Sequence, residues 1–278
     1  MAADETADVW TENRPTSGVR LPNFGELWHY RELVYFLALR DVKSRYKQTA
    51  LGITWAAIQP ALSVAVFTLV FRRFANVPSD GIPYSVFALT GFLAWTYFAG
   101  ILDGATSSVV KNAPLVTKVY LPRLAAPVSA VLPGLVTIAP GLVLLVALMA
   151  WEGVAPGAAI AALPLCVVVL LATALGVGLV LATLNVRYRD VGGALATLIP
   201  LWFLASPVAY PPNLVPGAWR WLYAVNPMTG VIEAFRWSLL RGPWPGLDLL
   251  ISAAVSVAFL VAGLIYFEHS ERRFADVI

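Results

Sequence analysis

Charge is scarce in this chain. Asp, Glu, Lys and Arg make up 13% of its 278 residues against 59% hydrophobic, where soluble globular proteins carry about 25% charged residues. Together with a mean hydropathy of +0.74, this excludes a soluble globular domain and places the chain among polytopic membrane proteins. The net charge of +3 comes without a basic domain or an alternation of basic and aromatic residues, so no nucleic-acid partner is expected. The single cysteine, Cys166, excludes an intrachain disulfide. Lying inside an apolar run, it reads as a small packed or lipid-facing residue. The two histidines, His29 and His269, lie outside the apolar runs and near no acidic cluster of ligand spacing, so no metal site is expected. No Gly-Lys pair occurs, hence no phosphate-binding P-loop, and any energy from nucleotide must come from another subunit. No Gly-x-Ser-x-Gly is present either, and no residue is nominated as catalytic.

The opening "MAADETADVWTENRPTSGVR" is polar and leads with acids, unlike the basic and then apolar start of a cleavable signal peptide. The expectation is a flexible cytoplasmic tail over 1–25 and a single transmembrane domain over 26–278.

What is present is a succession of long apolar runs. A charged segment ending in "RDVKSRYKQT" feeds into "LGITWAAIQPALSVAVFTLVF". Arg40, Lys43 and Lys47 recur on one helical stripe, with Val34, Ala38 and Val42 on the opposite side. This pattern predicts an amphipathic helix in the interface plane, apolar side in lipid and basic side towards anionic headgroups or a protein partner. Residues 50–71 carry no charge, and at about 1.5 Å per residue they reach roughly 33 Å, enough to cross a bilayer core. Further runs at 84–107, 124–150, 157–185, 192–210 and 248–267 make six predicted spans. Pro127, Pro133 and Pro140 in the third run and Pro200 and Pro207 in the fifth predict kinks.

Six spans put both termini on one side. Fourteen of the 19 Lys and Arg fall in the N-terminal segment, the 108–123 and 186–191 loops and the C-terminal tail, which predicts cytoplasmic termini. Arg72 and Arg73, directly after the first span, depart from that distribution and read as snorkelling cations at the outer interface. In the fourth run Ala172 and Gly176, four apart, suit close helix approach; packing within the chain and a dimer interface explain them equally well. Between Tyr210 and Asp248 the sequence is too polar for a span and too aromatic for an ordinary loop. Two short amphipathic pieces, 218–225 and 229–240, flank the turn signal Asn226-Pro227. They read as outer re-entrant half-helices, which need protein or a water-filled cavity around them. An outer loop bearing an aromatic belt of Trp219, Trp221, Tyr223, Trp237 and Trp244 is the other reading.

Asp103 is the one acid placed within a span. It reads equally as a group on a substrate path or as a carboxylate reaching water near its helix end. Trp55 and Gln59 share a face of the first span, Trp95, Tyr97 and Phe98 crowd the second, and Trp202 and Tyr210 belong to the fifth. Aromatic faces stack on sugar rings while amides and hydroxyls bond their edges, so these eight residues are candidates for lining a glycan path. In the loop "SSVVKNAPLVTKVYLPRLAAP" the middle can form two turns presenting Leu115, Val116 and Val119, with Lys118 and Arg123 at the rim. An exposed apolar patch of this kind reads as a docking surface, and the basic loop "NVRYRDVGG" can touch the same partner.

With these pieces the chain resembles the permease subunits of ABC-type polysaccharide exporters, which move O-antigen, teichoic acid and related polyprenyl-linked glycans. The resemblance covers about 26–275. "LALRDVKSRYKQTALGITWAAIQP" looks like the family's interfacial helix and first span, "NAPLVTKVYLPR" like its coupling helix, "NVRYRDV" like its second inner loop, and "PVAYPP" with "NPM" like its outer re-entrant helices. The resemblance implies a homodimer paired with two copies of a separate ATPase, which carries the ATP and Mg; this chain binds no cofactor. It implies a bacterial inner membrane protein embedded among membrane lipids. Pro114, Leu115, Val116, Lys118, Val119, Tyr120 and Arg123, with Arg187, Arg189 and Asp190, would couple to the ATPase. Arg40, Lys43, Arg45 and Lys47 would meet the pyrophosphate of the lipid-linked glycan where it comes in. Two other readings are a permease for a drug or small lipid and, more remotely, a membrane enzyme acting on polyprenyl phosphate, for which Arg187, Arg189 and Asp190 form too small a cluster.

Overall fold

The computed structural model describes residues 24–47, 54–79, 81–118, 122–271 and 274. Residues 1–23, most of the expected tail, lie outside the described residues. The protein is an all-α polytopic membrane protein, with twelve α-helices and no strand among the described residues.

α1 (Phe24–His29) and α2 (Arg31–Tyr46) precede the first span. That span is α3 (Trp55–Phe67) continued by a π-helical stretch, Thr68–Phe74. α4 (Tyr84–Lys111) is the second, and α5 (Ala113–Lys118) is a short helix after it. The third is broken near its start, as its prolines predict, into α6 (Ala125–Val128) and α7 (Val131–Trp151). α8 (Leu163–Arg187) is the fourth, α9 (Asp190–Leu204) follows, and α10 (Arg220–Val225) and α11 (Pro227–Leu240) lead to α12 (Gly246–Glu271). Among the described residues, five helical stretches are long and apolar enough to cross a bilayer: Trp55–Phe74, Tyr84–Lys111, Ala125–Trp151, Ala158–Arg187 and Gly246–Glu271. The predicted run 192–210 instead gives the 15-residue α9, about 22 Å long, short of a core about 30 Å thick. Pro200 sits inside α9, and the chain turns at Ala205 and Ser206 before Pro207.

α4 is the axis of the bundle: 72% of its apolar window is buried, against 11% for the first span and 17% for the last. Trp95, Phe98, Ile101 and Leu102 from α4, Leu170 and Ala174 from α8, and Met228 and Ile232 from α11 share one core. α8 and α12 meet at Gly176 and Gly263, where a Cβ on Gly176 would stand 2.5 Å from the Leu260 nitrogen. The Thr173 and Ser256 hydroxyls bond across the same contact at 2.7 Å. Gly176 therefore serves packing within the chain. Without a hydrophobic force between helices in lipid, close backbone approach and interhelical hydrogen bonds hold such pairs together.

Candidate transport and coupling surfaces

α2 exposes Arg40, Lys43 and Lys47 and turns Ala38 inwards, with Val34 and Val42 half-buried, as its periodicity predicts. Part of its apolar side meets protein, while Tyr35 and Phe36 stay exposed. Leu37 and Ala38 are buried, and the helix packs on α6 and α7. Arg45 Nη1 donates to the Thr137 hydroxyl of α7 at 2.7 Å, a further tie between the helix and the third span. The basic side lines an open groove of about 680 Å³ with Phe36, Leu39, Arg40, Lys43, Ser44 and Lys47. Arg40 pairs with Asp41 at 2.8 Å in solvent, a contact worth little because water screens it. The groove is thus cationic, with an apolar wall, and open to a phosphate-bearing amphiphile.

The eight candidate path residues do not form one surface. Trp55 is 52% exposed and Gln59 exposed beside it, whereas Trp95 is 4% exposed and Tyr97 and Phe98 are buried. Trp95 and Phe98 pack edge-on against Trp202 at 6.1 and 5.0 Å between centroids, fastening α9 to α4. Tyr97 points the other way, on to α7, where Gly134 leaves space for its ring. These three are buried in the core of the chain. Trp202 and Tyr210 are half-buried, and the Tyr210 hydroxyl donates to the Leu204 carbonyl at 2.8 Å. Asp103 is exposed.

Helices form over both short pieces expected between Tyr210 and Asp248, held by Asn226, already marked by the turn signal, and by Arg236, which the sequence pattern did not single out. Asn226 caps α11 by accepting from the Met228 N–H at 3.1 Å, with Pro227 at the first helical position. The same carbonyl oxygen accepts from Trp202 Nε1 at 2.9 Å, and its amide donates to Ser206 Oγ at 2.9 Å and the Ala205 carbonyl at 3.2 Å. One side chain therefore joins the end of α9 to the start of α11. Arg236, 2% exposed in its side chain, pairs with Glu233 at 2.7 Å. It also donates to the Val208 carbonyl at 2.7 Å, and its guanidinium lies 3.5 Å from the centre of the Phe87 ring. Gly91 makes room, since a Cβ there would stand 2.8 Å from both Arg236 Nη2 and the Val208 carbonyl. α11 is accordingly buried on α12, α4 and α8, while α10 exposes Trp221 and Leu222. The available signal was Glu233-x-x-Arg236, a pair one helical turn apart in an otherwise apolar segment.

At the other end of α4, Asn112 stops the helix and its carbonyl accepts from Leu115 to open α5. Pro114 is exposed, and Leu115 and Arg123 are half-buried. Val116 and Lys118 lie in α5, while Val119 and Tyr120 fall outside the described residues. Arg187, Arg189 and Asp190 are all exposed between α8 and α9. Asn185 links the two surfaces: its amide donates to the Thr106 carbonyl of α4 at 3.1 Å, and its oxygen accepts from Gly192 N of α9 at 3.2 Å. Asn185 therefore joins α4, α8 and α9 at one point.

The site defines a class before any particular relative. It is a helical membrane protein with two loop surfaces, at the ends of α4 and α8, joined through Asn185. The family model described as ABC-2 type transporter matches residues 32–240, and the chain belongs to that family. The O-antigen export system permease protein RfbA of Myxococcus xanthus is 30% identical over 256 residues, covering 91% of this chain and 98% of that protein. A protein of the same name from Klebsiella pneumoniae is 27% identical over 258 residues, covering 92% and 97%. The polysialic acid transport protein KpsM of Escherichia coli is 24% identical over 233 residues, covering 81% and 84%. Membership makes the chain a transport subunit.

Proposed function

We propose that this chain is the membrane subunit of an ATP-driven exporter that moves polyprenyl-pyrophosphate-linked polysaccharide across the bacterial inner membrane. The observation that carries the reading is likeness over nearly the full length to permeases named for O-antigen export, combined with a cationic groove suited to a lipid phosphate. Two copies of the chain form the passage, and two copies of an ATP-binding subunit hold the ATP and Mg. Both termini are cytoplasmic. α9 with the turn to Tyr210 completes a sixth crossing, short because α10 and α11 dip back into the outer leaflet and meet it there.

The pyrophosphate arrives at Arg40, Lys43 and Lys47, whose ammonium and guanidinium groups pair with its oxygens. Arg45 acts on them indirectly, holding α2 in place through Thr137. Of the aromatic candidates, Trp55, with Gln59 beside it, remains free to meet a sugar in the dimer; Trp202 and Tyr210 flank the outer end and Asp103 the inner. Closure of the ATP-binding subunits presses on Pro114–Tyr120, Arg123 and the Arg187–Asp190 loop. Asn185 shares that push between α4 and α8, and the Asn226 and Arg236 anchors carry it to the outer half-helices. A deletion strain tests the reading: loss of the surface polysaccharide with accumulation of its lipid-linked form inside the cell supports it. Normal surface polysaccharide with altered resistance to small amphiphiles would refute it.

A further inference from the structure

Arg72 and Arg73 follow the first span on the side where cations are otherwise few. The span reaches them through the π-helical stretch Thr68–Phe74, a rare distortion that is frequent at functional sites. Both arginines are exposed, and neither makes an ion pair among the described residues. They stand at one end of an open groove of about 560 Å³ between the first span and α7, lined along its length by Ala61, Val64, Ala65, Leu144 and Leu148. Two hydroxyls also line it. That of Ser85 donates to Glu152 at 3.2 Å, and that of Thr68 has no hydrogen-bond partner among the described residues.

From Ala61 to Arg72 the helix advances about 16 Å, and one leaflet of the hydrocarbon core is about 15 Å deep. The groove is therefore one leaflet long, apolar along its length and doubly cationic at headgroup depth. Thr68 lies one turn deeper than Arg72, where the ester groups of a glycerolipid follow its phosphate. Charge and length together select a lipid with one phosphate. Glu152, held at the rim by Ser85, disfavours a headgroup with a second negative charge. We propose that this groove binds one phospholipid of the bilayer with a monoanionic headgroup, its acyl chain against Ala61–Ala65, Leu144 and Leu148 and its phosphate between Arg72 and Arg73. A polyprenyl chain is longer than the groove is deep, and for that reason the bilayer lipid, not the cargo carrier, is the occupant. The site rests on the membrane embedding alone and is independent of the exported substrate.

The test is native mass spectrometry of the purified complex with its ATP-binding subunit, after equilibration with vesicles of equal phosphatidylglycerol and phosphatidylcholine. A parallel sample contains polyprenyl phosphate. The expected result is selective retention of phosphatidylglycerol, reduced about fivefold by each of Arg72→Gln and Arg73→Gln. Ala65→Phe, which fills the groove and leaves both arginines in place, is expected to abolish the selectivity. All three positions are exposed, so assembly of the complex is preserved. Equal retention of the two phospholipids, or retention unaffected by the three substitutions, would overturn the proposal. Displacement of phosphatidylglycerol by polyprenyl phosphate would assign the groove to the carrier and overturn it as well.

Discussion

Arg236 is a buried cation in a lipid-embedded protein, and replacing it by Met removes its contacts with three groups. The Glu233 side chain is 13% exposed and loses its counter-ion at 2.7 Å. The Val208 carbonyl loses its donor at 2.7 Å, and the Phe87 ring loses the guanidinium packed against it. An unsatisfied buried carbonyl costs about 1–3 kcal/mol, and breaking one side of a buried ion pair costs about 3–5 kcal/mol in all. Arg236→Met is therefore expected to destabilise the subunit by about 3–5 kcal/mol. Adding Glu233→Met should recover much of that loss, since an apolar pair of similar volume carries no buried charge. Denaturant unfolding in mixed micelles, followed by the fluorescence of the chain's ten tryptophans, measures both. Gly91→Ala should mimic the single variant more weakly by pushing the guanidinium aside. A loss below about 1 kcal/mol for Arg236→Met, or a double variant no better than the single, would refute the reasoning.

Gly176→Ala is expected to cost about 1–3 kcal/mol by overpacking against α12, whereas Gly193→Ala, with nothing within 4 Å, should be neutral or stabilising in the same unfolding assay. Trp95→Ala should lose about 3–5 kcal/mol as a core truncation. Trp55→Ala should change stability by no more than about 0.5 kcal/mol yet slow glycan export in a pulse-chase of surface polysaccharide; unaltered flux would take Trp55 off the path. Replacing Leu115 and Val116 by Asp should abolish co-purification of the ATP-binding subunit while thermal unfolding of the spans is unchanged. Retained co-purification would remove α5 from the docking surface.

Hydropathy made five of the long helices legible because an uninterrupted apolar run of about 20 residues has one stable state in lipid. The run at 192–210 was harder to read. Hydropathy counts residues and is blind to the turn that Ser206 and Pro207 impose, so a 15-residue helix followed by an elbow scores like a span. α2 shows another limit. Its period identifies which residues share a face but not what that face meets, and contacts such as Arg45 with Thr137, 92 residues away, appear only on folding. The same holds for Trp95, Tyr97 and Phe98. An aromatic cluster suits a sugar path and a packed core equally until tertiary contacts place Trp202 and Gly134 beside it. Arg236 was hidden because a lone arginine among outer aromatics reads as a surface cation, and its partners Val208 and Phe87 are brought close only by folding.

The central claim is that the cargo is a lipid-linked glycan received at the basic groove of α2. It is tested most directly by ATP hydrolysis in the reconstituted complex, with and without polyprenyl-pyrophosphate glycan. The account predicts stimulation by the glycan lipid that is lost when Arg40, Lys43 and Lys47 are replaced by Gln, with basal hydrolysis retained. Stimulation by small amphiphiles and none by the glycan lipid, or stimulation that survives the triple replacement, would contradict it.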